Sequence, residues 1–410
     1  MKILIHDYAG HPFPTSLSRA LASRGHRVIH AFSENLITPR GVLENQPGDP
    51  TSLRFAPVPM SGRYIRDKYS FLRRVYWERC YGFELTRLVR AEQPDVILSG
   101  QTPSEPQWRL SQETRRFGIP LLLWVQDFYS VAVSTLAKKK LPLVGPLAGA
   151  WYSLLDRRCF AASAHVIAIT EDFRPILRRF GVEDAKISVI PNWASLDEVS
   201  VRPHENDWAR RQGLIGKFTY LYAGTLAMKH NPELLWSLAV HNRNRASVSV
   251  VVVSEGPGAD YLRRKQVVEN LPNLRILPFQ PFAEMSNVLA SADVLLAVLE
   301  QDAGVFSVPS KILTYHAAGR PILAAIPREN LAARIVQEVG SGRCVEPSDV
   351  EGFLREADAL CYEGRLRAEM GNKARSYAEK NFAISRIADR FELLLEGAVA
   401  RRRCGNSLAQ

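Results

Sequence analysis

The sequence DVLLAVL occupies residues 293–299, and VPSKILTYHAAGRPILAAI follows at residues 308–326. The first run is apolar after its aspartate, which is typical of a buried strand. The second run predicts a short helix that begins near Ser310 and ends at Gly319, before Pro321. Another apolar run, Ile322–Ile326, then predicts the next strand. A strand, a helix and a strand in this order indicate a parallel sheet covered by helices.

The start of this helix is a candidate anion site. In α/β proteins, ligands bind where a helix begins at the carboxyl end of a parallel strand. The free N–H groups and the dipole of such a helix favour a negative charge, and Lys311 adds a full positive charge there. This pattern predicts a phosphate-bearing ligand. The alternative is a capped structural helix with a solvated lysine.

A second strand-to-helix loop with a lysine lies at residues 220–232, in the sequence YLYAGTLAMKHNP. Gly224 allows the backbone to approach a ligand closely, and Lys229 precedes a helix opened by Asn231 and Pro232. Lys229 and Lys311 together could clamp a diphosphate and stabilise the charge of a leaving phosphate. Two solvated lysines are the alternative.

A third loop, at residues 251–258, contains Glu255 after a strand and before a glycine turn. It lacks the G-x-G-x-x-G spacing, so dinucleotide binding is not indicated. We expect Glu255 at the same edge of the sheet as the two lysines, although a plain turn between strand and helix is equally compatible with the pattern.

In the first half of the chain, Asp127 follows the predicted strand at residues 120–125. A carboxylate at this position could orient or deprotonate the hydroxyl group of an acceptor, and its alternative role is that of a helix cap. The loop after the first strand, Ala9–Pro12, contains Gly10 and His11 and could approach the same ligand.

Strand-like and helix-like segments alternate along the chain and restart after the polar segment 197–216, which we interpret as a linker. Two domains of doubly wound α/β type facing a deep cleft are therefore predicted, at residues 1–198 and 199–383. The last helix, residues 384–402, could pack back onto the first domain.

Composition restricts the class of protein. The chain has 410 residues, 46% of them hydrophobic, and no apolar run is long enough to span a membrane. Five scattered cysteines indicate a reducing cytoplasm. A D-x-D pair and a metal-ligand cluster are absent from the sequence, so no bound metal and no obligatory cofactor is expected.

The net charge of +11 suits an anionic partner. Bases alternate with aromatic residues at residues 63–77, and a basic and apolar stretch follows at residues 138–144. Such surfaces suit an anionic membrane, whereas a solvated helix face with aromatic residues in the core is the alternative. No nucleic-acid module is recognisable, so nucleic acid is not expected as a partner.

In combination, these segments resemble the retaining GT-B glycosyltransferases of family 4 over almost the whole chain. The resemblance is carried by segments that occur in the family's order: residues 2–5, 24–28, 94–97, 124–127, 186–193, 222–229 and 317–321.

Several positions depart from the family pattern. The family's glycine pair in the first loop is replaced by Gly10-His11-Pro12, and Thr225 stands where an arginine is usual. Phe306 and Thr314 occupy the positions of two glutamates. The version of the motif at residues 307–311 is similar to that of a branch acting on bacterial surface polysaccharide, which includes colanic-acid-type and fucosaminyl transferases.

The resemblance implies sugar transfer, with retention, from a UDP- or GDP-linked donor to a polyprenyl-diphosphate-linked saccharide, at the inner face of the cell membrane. A sugar-nucleotide epimerase and a degenerate, non-catalytic partner subunit are the alternatives. Asp127 and Lys229 are the predicted catalytic residues. The predicted substrate-binding residues are Gly10, His11, Gly224, Thr225, Lys229, Glu255, Ser307, Pro309, Ser310 and Lys311.

Overall fold

The computed structural model describes residues 1–36, 40–67, 70–131, 133, 145–301 and 311–407. The chain divides into a first unit, Met1–Pro191 with Ile384–Gln410, and a second unit, Asn192–Ala383. Each unit contains one parallel sheet with helices, which is the predicted α/β class. The sequence placed the boundary between residues 198 and 199.

The first unit has a seven-stranded sheet in the order β3-β2-β1-β4-β5-β6-β7. Its strands are β1 (Lys2–Asp7), β2 (Arg27–Ser33), β3 (Leu53–Val58), β4 (Val96–Gly100), β5 (Leu121–Val125), β6 (His165–Ala168) and β7 (Ile187–Val189). Its helices are α1 (Pro12–Ser23), α2 (Arg63–Asp67), α3 (Phe71–Glu92), α4 (Ser104–Arg116), α5 (Gly145–Ala162) and α6 (Arg174–Arg179).

The second unit has a six-stranded sheet in the order β10-β9-β8-β11-β12-β13. Its strands are β8 (Phe218–Ala223), β9 (Val248–Val253), β10 (Leu274–Leu277), β11 (Val294–Val298), β12 (Ile322–Ala325) and β13 (Gly342–Val345). Its helices are α7 (Asp207–Arg211), α8 (Pro232–His241), α9 (Pro257–Val268), α10 (Met285–Ala290), α11 (Lys311–Ala318), α12 (Leu331–Val339), α13 (Val350–Tyr362) and α14 (Gly364–Asn381).

Each sheet has one point at which the strand order reverses. In the first unit it lies between β1 and β4, and in the second between β8 and β11. The strands beside it are apolar on both faces: every residue of β4, β9 and β11 is buried. Because loops on the two sides of such a point diverge, the carboxyl ends of these strands leave a crevice that ligands commonly occupy.

The final helix, α15 (Ile384–Ser407), packs on the first unit. The ring of Phe391 lies 4.8 Å from that of Trp124, centroid to centroid. One carboxylate oxygen of Glu392 accepts a hydrogen bond from Arg24 at 2.5 Å, and the other lies 2.6 Å from Nε2 of His26. One apolar and one ionic contact thus fasten the last helix to the first unit. No helix in the described ranges is long and apolar enough to cross a membrane.

The interpretation of residues 197–216 as a linker is wrong, because the segment is packed into the second unit. Trp208 is buried, and its indole N–H donates to the side-chain oxygen of Gln280 at 3.0 Å. Asn206 caps α7 by accepting a hydrogen bond from the backbone of Ala209. The polar residues that suggested a linker are the caps and the exposed face of this short helix.

Candidate functional site

The loops after β8 and β11 meet at the point where the strand order of the second unit reverses. The backbone N–H of Glu300 donates to the carbonyl of Lys229 at 2.8 Å. The hydroxyl of Tyr315, on α11, accepts from the N–H of Ala223 at 3.1 Å and lies 3.1 Å from the carbonyl of Leu296, to which it can donate. The start of α11 is therefore held against the ends of both strands.

The side chain of Lys311, at the start of α11, packs against the end of β8. Its ammonium group donates to the hydroxyl of Tyr222, and Nζ is 3.7 Å from the centroid of the same ring. Gly224, at φ +121°, comes next, and a Cβ built there would stand 3.7 Å from Nζ. Lys311 is thus packed against the Tyr222–Gly224 backbone rather than extended into solvent.

Positive charge accumulates at this place. Burial, together with the charge of Lys229, holds the pKa of Lys311 well below its ordinary value. Burial and then the charges of Lys311 and Lys229 lower the pKa of His230 to about 3. Among the described residues, the contacts of the Lys311 ammonium group are with the hydroxyl and ring of Tyr222 and not with a carboxylate. Such a like-charged pair binds an anion favourably, since the anion relieves the repulsion between the two lysines.

His230 adds a neutral donor. Its Nδ1 accepts a hydrogen bond from the backbone of Ala227 at 3.0 Å, so the proton of the neutral ring is on Nε2. We name Tyr222, Gly224, Lys229, His230 and Lys311 the lysine corner. It provides two ammonium groups and an imidazole N–H for an anionic ligand.

The remaining predicted residues of the second unit are only partly described. Thr225 is exposed in the lysine-corner loop, and Glu255 is exposed in the next loop. The two loops are joined because the N–H of Leu226 donates to the carbonyl of Glu255 at 3.3 Å. Ser307, Pro309 and Ser310 lie outside the described residues, as does Phe306, one of the departures from the family pattern.

In the first unit, His11 bonds to Asp7 at the end of β1. His11 Nδ1 is 3.3 Å from Asp7 Oδ1, and the backbone N–H of His11 donates to Oδ2. Asp7 is only 2% exposed. Gly10, at φ +76°, makes the turn that brings His11 back to Asp7. We name Asp7, Gly10 and His11 the histidine corner.

Each group of this pair alters the titration of the other. Burial alone would lower the pKa of His11, but the charge and hydrogen bond of Asp7 and the charge of Asp127 raise it. Burial alone would raise the pKa of Asp7, but the charge and hydrogen bonds of His11 lower it. The structure therefore brings the predicted residues His11 and Asp127 within electrostatic range of each other.

Asp127 is exposed and lines a cavity at the carboxyl ends of β4 and β5. Hydroxyl, amide and carboxyl side chains dominate its described lining, among them Ser99, Gln107 and Asp156. None of the described lining residues is basic. This chemistry suits an uncharged ligand rich in hydroxyl groups.

Sequence reasoning missed Asp7, Tyr222, His230 and Tyr315. A polar residue that closes an apolar strand four positions before a histidine was the available signal for Asp7. Tyr222 and Tyr315 carried no signal, because in the sequence they belong to an apolar strand and to an apolar helix face.

One group of described residues has the composition of a metal site. The ligand atoms of His26, Glu392 and Glu396 lie within 4.8 Å of one another. Arg24 forms ion pairs with Glu392 and Asp389. The arrangement is thus already part of the ionic contact that fastens α15, and the arginine disfavours a second cation.

Comparison with known proteins shows several similarities. Residues 11–193 match the family Glycosyl transferase 4-like domain. The probable glycosyltransferase WbjE of Pseudomonas aeruginosa is 25% identical over 314 residues, which cover 73% of this chain and 74% of WbjE.

Solved structures that share the fold include the following two. Alr3699/HepE of Anabaena, crystallised with UDP-glucose, aligns with a TM-score of 0.71 at 14% identity, over 97% of this chain and all of that one. WaaG, a glycosyltransferase involved in lipopolysaccharide biosynthesis, aligns with a TM-score of 0.68 at 14% identity, over 96% and 100%. At such identities the likeness is one of fold.

Proposed function

We propose a specific reaction for this chain. Its family match, its relative and its fold support a GT-B glycosyltransferase. The reaction is transfer of a sugar from a nucleoside-diphosphate sugar to a hydroxyl group of a saccharide acceptor, with retention of anomeric configuration. The acceptor is a polyprenyl-diphosphate-linked saccharide of bacterial surface polysaccharide. Retention and acceptor class rest on the family resemblance.

The lysine corner is the observation that carries the proposal. Lys229 and Lys311 repel each other beside a strand end, and the described residues give Lys311 no carboxylate partner. A diphosphate supplies the missing negative charge. As the bond between sugar and phosphate breaks, negative charge grows on the departing diphosphate, and the two ammonium groups stabilise it. HepE was crystallised with UDP-glucose and with UDP, which supports a uridine donor. A donor linked to guanosine diphosphate is the alternative to be tested.

The first unit holds the acceptor in this proposal. Asp127 orients the reacting hydroxyl group, and Gly10 and His11 contribute to the same site. The polar, non-basic lining of the cavity beside Asp127 supports a saccharide. In a retaining transfer of this kind the hydroxyl attacks from the face that the diphosphate leaves, without an established enzyme nucleophile.

An exposed surface of the first unit supports a membrane-linked acceptor. Apolar side chains of α3 and α5 that face solvent include Leu72, 79% exposed, and Trp151, 44% exposed. The rings of Phe71 and Tyr152 lie 6.1 Å apart, which brings the two helices together there. Arg66 and Arg73 are exposed on the same segment. Apolar side chains among arginines suit the interface of an anionic leaflet. Residues 138–144, the other basic and apolar stretch, lie outside the described residues.

A transfer assay tests the reaction. We expect purified protein to transfer sugar from one UDP- or GDP-sugar, and we expect the double variant Lys229→Ala/Lys311→Ala to lose transfer and to bind the nucleoside diphosphate weakly. Lys265→Ala is the matched control, because this lysine already has a carboxylate partner, Glu233, at 2.8 Å. Near-wild-type turnover in the double variant would overturn the diphosphate site.

Two further outcomes would redirect the proposal. Epimerised donor after incubation without acceptor would identify an epimerase. Absence of any thermal shift with nucleotides or nucleotide sugars would identify a partner subunit without donor binding.

The membrane surface is tested separately with vesicles. We expect the protein to sediment with vesicles that contain anionic lipid and not with neutral vesicles. Leu72→Ser/Trp151→Ser should weaken sedimentation, and Leu393→Ser should not, because Leu393 is also exposed (71%) but lies on α15. Equal sedimentation of all variants would overturn this part of the proposal.

A further inference from the structure

The cavity beside Asp127 is small and contains a buried amide group that the described residues leave with a free donor. We infer that this cavity takes the acetamido group of an N-acetylated sugar of the acceptor. Gln107 donates to the carbonyl oxygen of that group, and Asp156 accepts from its N–H. The role of the cavity as an acceptor site rests on the proposed sugar transfer, and the acetamido group specifies the class of acceptor sugar.

A chain of buried hydrogen bonds orients the amide group of Gln107. The hydroxyl of Tyr81 lies 2.7 Å from Nε2 of His6, and Nδ1 of His6 lies 3.1 Å from Oγ of Ser99. Ser99 donates to Oε1 of Gln107 at 2.8 Å. Because the hydroxyl of Ser99 has one proton, it accepts from Nδ1 of His6, and Nε2 then accepts from Tyr81. Burial lowers the pKa of His6 to about 4, which keeps the ring in the neutral form that this chain requires.

The chain occupies the oxygen of the Gln107 amide and leaves its nitrogen for a ligand. Gln107 is 8% exposed and lines the cavity, and its Nε2 has no hydrogen-bond partner among the described residues. A buried donor without a partner is costly, so a carbonyl oxygen placed against it gains a hydrogen bond at little further cost of desolvation. Every bond behind Oε1 donates toward Gln107, and such a chain polarises the amide and strengthens its N–H as a donor.

Asp156, on α5, supplies a hydrogen-bond acceptor to the same cavity. Its Oδ1 accepts from the hydroxyl of Ser104 at 2.6 Å, and its Oδ2 accepts from the backbone N–H of Ser130 at 3.2 Å. These two bonds fix the carboxylate. Each oxygen of an ionised carboxylate can accept a second hydrogen bond, so one of them remains available to the N–H of an acetamido group.

The volume of the cavity and the apolar part of its lining fit the rest of the group. The cavity measures about 60 Å³. A site for one water needs roughly 10–15 Å³, so the space suits about four to six atoms of that size. An acetamido group fills it with nitrogen, carbonyl carbon, oxygen and methyl carbon, whereas a single hydroxyl group would leave most of it empty. Leu123, Cys159 and Phe160 are buried in the lining and provide apolar surface for the methyl group.

The depth of the polar groups relates the cavity to the reaction. Asp127 is exposed, whereas Gln107 and Asp156 are buried. A sugar whose acetamido group lies between Gln107 and Asp156 therefore keeps its ring and free hydroxyl groups at the exposed end. There Asp127 orients the reacting hydroxyl in the proposed transfer.

Binding of simple glycosides tests the inference without the transfer reaction. We expect saturation-transfer NMR to show that the protein binds the methyl glycosides of N-acetylglucosamine or N-acetylgalactosamine through the acetyl methyl group. These should bind about tenfold more tightly than the methyl glycosides of glucose and galactose, which lack the acetamido group.

Variants of Gln107 assign this preference to the cavity. Gln107→Glu keeps an oxygen for Ser99 but loses the donor, and it should abolish the preference. Gln107→Met should do the same without adding a charge. Gln112→Glu, a change of an exposed amide on the same helix, is the matched control and should keep the preference. Thermal unfolding of each variant checks that it folds.

An ester analogue tests the part of Asp156. Methyl 2-O-acetylglucoside keeps the carbonyl and methyl groups of the N-acetylated sugar but lacks its N–H. It should bind the wild-type protein about tenfold more weakly than the amide does, and Asp156→Asn should reduce this difference. Equal binding of ester and amide to the wild-type protein would contradict the role of Asp156.

The outcomes separate the cavity from the reaction. Absence of binding by all the glycosides, or binding of the hexosides as tightly as the N-acetylated sugars, would overturn the inference. A Gln107→Glu protein that retains the preference would also overturn it. A protein that shows the preference but transfers no sugar from any donor would contradict the proposed function while supporting the acetamido site.

Discussion

The lysine corner and the histidine corner occupy the same topological position in two sheets and differ in charge. Each is built at the carboxyl end of the first strand of its unit, beside the point where strand order reverses, and each contains a glycine at positive φ, Gly224 and Gly10. In the lysine corner two cations repel each other. In the histidine corner His11 is stabilised by Asp7 and Asp127. The fold provides the crevice, and the side chains decide whether it suits an anion or a hydroxyl group.

The largest expected effect separates the two regions by function. Asp127→Asn should lower kcat roughly 100- to 10,000-fold, the range for a positioned acid or base, and should leave nucleotide affinity unchanged. Transfer assays and calorimetric titration with UDP and GDP measure the two quantities. Asp184→Asn, which alters a surface ion pair with Arg178 at 2.6 Å, serves as the control. An Asp127→Asn protein that loses nucleotide binding as well as sugar transfer would contradict the assignment of the nucleotide to the lysine corner and of the acceptor to the first unit.

The second prediction concerns the pH dependence of nucleotide binding. Burial and the charge of Lys229 lower the pKa of Lys311, whereas a bound diphosphate raises this pKa, so that binding should favour proton uptake. Between pH 7 and 9, above the last ionisation of the phosphate, affinity should fall as pH rises, by at most about tenfold per pH unit.

Calorimetry in buffers of different ionisation enthalpy measures this proton uptake. His230 does not contribute in this range, since its pKa is about 3. Lys311→Met should remove both the uptake and the pH dependence. Uptake that persists in Lys311→Met would assign the proton to another group.

The third prediction tests whether both corners depend on a glycine at positive φ. Gly224→Ala and Gly10→Ala should each lower the free energy of unfolding by about 1–2 kcal/mol, because both glycines adopt a positive φ that a Cβ disfavours. Space is not the cause: a Cβ at Gly224 makes ordinary contacts, and at Gly10 it meets the flexible end of Leu43. Urea denaturation measures the loss. Gly62→Ala, with no atom within 4 Å and no positive φ, should show none of it.

The smallest expected effect concerns the support of the lysine corner. Tyr315→Phe should cost about 1 kcal/mol of stability, because it removes the hydroxyl that bonds the ends of β8 and β11. Thermal unfolding measures the loss, and Tyr362→Phe, a change at a 72% exposed side chain, is the comparison. Equal stability of both variants would mean that α11 does not depend on this bond.

Much of the secondary structure could be predicted from the sequence. The helix predicted to open at Asn231 and Pro232 spans Pro232–His241, and the strand predicted at Ile322–Ile326 spans Ile322–Ala325, because helix-start residues and apolar runs are local signals. The strand at Leu53–Val58 was not predicted, since exposed residues interrupt its pattern and Pro57 argues against a strand. It is accommodated at the sheet edge, where one side has no neighbour.

The candidate site was predictable only where a charged residue follows a strand. Lys229, Lys311 and Asp127 could be named for this reason, and their roles remain predictions. Asp7 could not be named, because its importance depends on a loop that returns His11 to it. Tyr315 could not be named either, because its bonds join residues 92 and 19 positions away in the chain.

The sequence by itself determined two parallel α/β units and the lysines and carboxylate at their strand ends, since local periodicity and turn residues specify strands, helices and their order. Only the tertiary structure decided that Lys311 packs on Tyr222 beside a second cation, and that His11 is held by a buried carboxylate. The physical reason is that charge and burial act through space. The pKa of a side chain depends on neighbours that the fold supplies and that sequence spacing does not reveal.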